Sequence, residues 1–165
     1  YKSPKQVLAM LVDIVSKNGN LLLNVPQLPD GSIDEECRFL LEQLAEWMKI
    51  NGEGIFASTP WNKFGEGPTS TEGGEFNEDA LDWTEKDFRF TQKGDKLYAF
   101  QMNLPEENRA SIKSLSSNNN PEIKKVSLMG YDGNIKFNQN EKELEIKLPE
   151  DKASKYIQCL CIEFN

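Results

Sequence analysis

Apolar residues recur every three or four positions from Val7 to Val15 (Val7, Leu8, Leu11, Val12, Ile14, Val15). That is the period of a helix with one buried face. Ser3 stands where it can cap the first turn. Pro4 suits the first helical position, where its missing N–H costs nothing. Gly19 is the expected stop, supplying a left-handed residue. Leu21 to Val25 follows at once and is apolar without alternation, the pattern of a parallel strand covered on both faces; Asn24 and Pro26 end it. After the turn signal Pro29-Asp30-Gly31, acids at Asp34, Glu35 and Glu36 favour a second helix start. Phe39, Leu40, Leu41, Leu44, Trp47 and Met48 form its predicted buried stripe, and Gly52 its end.

The period then changes. Residues 61–87 carry four glycines, many polar residues and no sustained pattern, and are expected to form a Gly-rich connecting loop. From Phe88 short alternating runs are punctuated by turns: 88–91, 97–102, 111–115, 122–129, 135–137, 143–148 and 156–164. Lys93-Gly94-Asp95-Lys96 and Tyr131-Asp132-Gly133-Asn134 are hairpin signals. Lys and Glu on the outward face of 142–148 are expected to be solvated and to blunt a sheet edge. The predicted architecture is an α/β helix–strand–helix over residues 1–60, the loop over 61–87, and an antiparallel β-sandwich over 88–165. Two helices and one strand cannot bury both faces of the leucine run, so the first segment must dock on something.

Composition narrows the function. With 19 Lys and Arg against 27 Asp and Glu, the chain has net charge −8 and no histidine. The acidic balance argues against nucleic acid and anionic membrane surfaces as partners. No apolar run approaches the ~20 residues of a spanning helix. Without imidazole there is no Ser-His-Asp triad and the commonest metal ligand is missing. Cys37, Cys159 and Cys161 lack zinc-motif spacing and are expected to be small buried apolar residues. Cys159 and Cys161 lie two apart in a strand, so they share a face and are poorly placed to bond each other.

The run LVDIVSKNGNLLLNV (11–25), followed by Pro29-Asp30-Gly31, NGEGIF (51–56) and Thr59-Pro60-Trp61, closely resembles glycoside hydrolase family 29, the α-L-fucosidases. The resemblance runs the length of the chain and is strongest over residues 5–61. It implies that residues 1–60 end a catalytic (β/α) barrel and that the rest is the C-terminal β-sandwich. It further implies retaining hydrolysis of terminal α-L-fucosyl residues by an aspartate nucleophile and a separate acid/base carboxylate. Both would lie N-terminal to this chain, so no catalytic residue is assigned within it. The implied partners are a fucosylated glycan substrate and the N-terminal barrel portion, with no metal or organic cofactor. No signal peptide stands at Tyr1, which in a fragment leaves export open.

Three residues are candidates for substrate contact. Asn24 ends the leucine strand, where barrel enzymes place their site residues; an Asx-type turn is the plainer role for its amide. Trp61 and Phe64 could stack on the C–H faces of a sugar or pin the loop across the seam between barrel and sandwich. Glu66, Glu72 and Glu75 invite an acid/base role, but acidic loops meet the required carboxyl spacing too easily. The competing reading is a self-standing, non-catalytic β-sandwich module, structural or carbohydrate-binding.

Overall fold

The computed structural model describes residues 1–70 and 81–165. Glu72, Glu75 and Phe76 therefore lie outside the described residues. Helix α1 spans Pro4–Ser16 and α2 spans Glu35–Asn51, continued by a 3-10 turn over Gly52–Gly54. Eight strands follow among the described residues: β1 (Thr59–Glu66), β2 (Phe88–Lys93), β3 (Lys96–Gln101), β4 (Arg109–Ile112), β5 (Ile123–Leu128), β6 (Lys136–Gln139), β7 (Leu144–Lys147) and β8 (Gln158–Phe164). They form a five-stranded sheet in the order β1-β2-β3-β8-β5 and a three-stranded sheet in the order β4-β7-β6.

The helix ends follow local chemistry. Ser3 caps α1 in a capping box with Gln6, and Pro4 opens the helix as expected. The left-handed residue past its end is Asn18 (φ 67°), not Gly19. Asn18 and Gly19 donate to the Val15 and Ile14 carbonyls in a Schellman arrangement. Gly19 is needed for space instead, because a Cβ there would stand 2.8 Å from the Ile14 side chain. Gly52 likewise lacks the left-handed geometry of a helix stop (φ −63°), and the chain runs on into the 3-10 turn. On α2 the buried residues are Cys37, Leu40, Gln43, Trp47 and Asn51, while Phe39 is 55% exposed.

Two apolar layers flank the large sheet. Phe88, Phe90, Leu97, Ala99, Leu160 and Ile162 meet the small sheet in one core. The alternate positions Tyr98, Phe100, Cys159 and Cys161 meet Leu8, Ala9, Val12 and Trp47 of the helices in the other. All three cysteines are free and buried. The helical segment thus docks on the sandwich. Its 3-10 turn comes close enough that a Cβ on Gly54 would sit 2.7 Å from the Phe100 ring. Trp47 clamps α2 to the sheet, its indole N–H donating to the Ile157 carbonyl at 2.7 Å.

Three expectations change. Residues 59–66 form strand β1, although 61–66 were expected in the connecting loop; the register shift between Pro60 and Gly65 breaks the alternation that marks a strand in sequence. The polar positions of β2, Arg89 and Thr91, are buried beneath the helices and not turned to water. The β7 charges do not guard an edge, since β7 pairs with β4 on one side and β6 on the other.

Candidate functional site

The run Leu21–Val25, expected as a strand, has no ladder: among the described residues it pairs with nothing. Leu21, Leu23 and Val25 are half-buried, while Leu22 and Asn24 are exposed, Leu22 to 95%. That alternation has the period of an extended chain. One side rests on the protein, and the side carrying Leu22 and Asn24 is open. A strand satisfies its backbone through a neighbour, and none of the described strands supplies one to this run.

Beside this segment, α1 is tied to the sandwich by a buried polar hub. Arg89 on β2 is 2% exposed. Its Nε donates to Asp13 of α1 at 2.5 Å and its Nη1 to the Phe88 carbonyl at 2.9 Å. The guanidinium also lies 4.7 Å from the Trp83 ring centre and 5.4 Å from that of Phe64. Lys17 pairs with Asp13 at 2.8 Å and stands over the same Phe64 ring at 5.1 Å. Asp87 is a second buried anchor. It accepts four bonds of 2.7–2.8 Å, from the backbone N–H and hydroxyl of both Thr69 and Thr84. Burial pushes its carboxyl up, but these donors outweigh burial and hold it below the usual range.

The candidate residues take different places. Asn24 lies on the open side of the unpaired run. Trp61 packs edge-on against Phe90 with ring centres 5.2 Å apart, a wedge in the inter-sheet core. Phe64 is 45% exposed and stays accessible beneath its cations. None of the three lines the groove that runs over the small sheet. Glu66 accepts from the backbone N–H groups of Lys113 and Ser114 at 2.8 and 2.7 Å, which occupies it as a clamp on the loop after β4. In the NGEG motif, Glu53 accepts from the Tyr98 hydroxyl at 2.7 Å. This bond, ahead of the opposing effect of burial, holds Glu53 low. Among the described residues no cluster of His, Cys, Asp and Glu could hold a metal ion, and no helix is long and apolar enough to cross a membrane.

Comparison with known proteins finds two family models that match the chain. A family model described as Alpha-L-fucosidase matches residues 1–53, and one described as Alpha-L-fucosidase C-terminal domain matches residues 81–162. Human tissue alpha-L-fucosidase is 30% identical over 146 residues, covering 88% of this chain and 27% of that protein. The chain thus spans about a quarter of the length of the curated relatives it matches. The Thermotoga maritima alpha-fucosidase solved in complex with fucose superposes with a TM-score of 0.75 at 27% identity, over 98% of this chain and 34% of that one. Alpha-L-fucosidase isoenzyme 1 from Paenibacillus thiaminolyticus gives 0.73 at 25% identity, over 100% and 35%. Helices and sheets, both halves of the sequence and the solved relatives agree, and the chain belongs to the α-L-fucosidase family.

Proposed function

We propose that the chain is the C-terminal part of a retaining α-L-fucosidase whose two catalytic carboxylates sit on an N-terminal barrel. In this reading residues 1–60 end the barrel, residues 61–87 connect, and residues 88–165 form a supporting sandwich. The Leu21–Val25 run becomes the barrel's last strand, and Asn24 at its C-terminal end faces the sugar pocket. The aspartate would attack the anomeric carbon and form a glycosyl-enzyme; the acid/base would protonate the departing oxygen and then activate water. The partners are that barrel portion and a glycan bearing terminal α-L-fucose.

The observation that carries this reading is the open flank of the run. Leu22 is 95% exposed in a segment with no strand neighbour among the described residues, and covering one leucine contributes about 2 kcal/mol. A self-standing module has no use for such a flank. The test is complementation. The 165-residue chain alone is expected to leave an aryl α-L-fucoside uncleaved, and to restore turnover when co-expressed with an N-terminal α-L-fucosidase barrel segment. Leu22→Lys is expected to abolish the rescue while leaving the isolated chain folded. Turnover by the isolated chain would refute the assignment of the carboxylates to another segment.

A further inference from the structure

The outer face of the small sheet carries a row of like charges. Antiparallel register sets Arg109 opposite Lys147 and Lys147 opposite Lys136, so three exposed cations stand side by side across β4, β7 and β6. Directly opposed residues have Cβ atoms about 5 Å apart, and like charges there destabilise a sheet. Two positions along, the same face presents Ser111, Glu145 and Asn138. Both rows line a groove of about 790 Å³, within the range of ligand sites, which Lys86 and the half-buried Phe137 also line.

Most of the groove's acids are engaged. Glu107 holds Arg109 at 2.5 Å, Glu145 accepts from Asn138 and Asn140, and Glu85 accepts from the Glu106 backbone. Glu143 and Glu150 also line it. Among the described residues, Lys86, Lys136 and Lys147 have no ion-pair partner. A polyanion would meet those acids and the chain's net charge of −8. A single anionic group on an otherwise polar ligand meets the row and hydrogen-bonds beyond it.

We propose that this groove binds a saccharide carrying one oxyanion, a sulfate ester or a carboxylate. The Lys136–Lys147–Arg109 row takes the charge, and Ser111, Asn138 and Glu145 take hydroxyl groups. The oxyanion half rests on the sheet register, the groove it lines and its lysines without an ion-pair partner among the described residues, independently of the glycosidase reading. The saccharide half rests on the glycosidase reading above.

The test titrates the 165-residue chain by NMR with a sulfated disaccharide, sialyllactose, lactose and sodium sulfate, at low and near-physiological salt. Because it reads binding without turnover, its outcome is independent of barrel complementation. Sulfated disaccharide or sialyllactose is expected to bind at least about tenfold more tightly than lactose, with affinity falling as salt screens the row. In K136Q/K147Q that affinity is expected to fall about tenfold or more, while the melting temperature stays level or rises as repulsion is relieved. Lactose binding as tightly, unchanged binding by K136Q/K147Q, or no shift with any probe would overturn the proposal. Sodium sulfate binding as tightly as the sulfated disaccharide would overturn its saccharide half. A lower melting temperature for the double variant would make the row structural and overturn the oxyanion half.

Discussion

Removing the Asp13 carboxylate takes away the acid that the buried Arg89 Nε donates to at 2.5 Å, breaking the pair that ties α1 to β2. Breaking such a pair costs about 3–5 kcal/mol, far more than a surface ion pair contributes. Asp13→Ala is therefore expected to lower the urea midpoint strongly, whereas Lys17→Ala, at the exposed end of the hub, should shift it slightly. Asp87 makes a pH-dependent contribution. Its folded pKa is depressed, so its stabilisation is present above the ordinary carboxylate range of about 4 and is lost as pH falls through the folded value. Asp87→Asn should flatten the stability–pH slope below about pH 4, measured by denaturant melts at stepped pH. Neither hub was legible in the sequence. Asp13 reads as one more polar position on a helix, and Arg89 as the outward half of an alternating strand; only the helices seated on that strand bury them.

Local signals served better for elements than for single side chains. Ser3-Pro4 marks the start of α1, and the Gly94 turn joins β2 to β3, because caps and tight turns depend on a few neighbouring residues. Strand β1 was not legible because its bulge and Gly65 erase the period-two pattern. The order of strands was not legible either, so the charges of β7 looked like edge protection when the strand lies inside its sheet. One element holds strain that can be released. Ala57, between the 3-10 turn and β1, sits at φ 55°, a left-handed conformation that disfavours a Cβ. Ala57→Gly is expected to stabilise the chain by about 0.5–1 kcal/mol, read from the shift in melting temperature.

For the molecule as a whole, the division into a helical lead and an antiparallel sandwich was legible, because the hydrophobic period switches once along the chain. The docking of that lead on the large sheet was legible only as a need. Both faces of β3 and β8 are buried, one by the small sheet and one by the helices, so the large sheet is the middle layer of three.

Strand β8 comes last in sequence yet lies between β3 and β5, bonded to both. During synthesis, the preceding strands must wait with an unfilled slot until residues 158–164 leave the ribosome. Their apolar faces are meanwhile open to mispairing and chaperone capture. Deleting residues 157–165 should therefore yield aggregated protein, not a shortened fold, and supplying them in trans as a peptide should rescue soluble material.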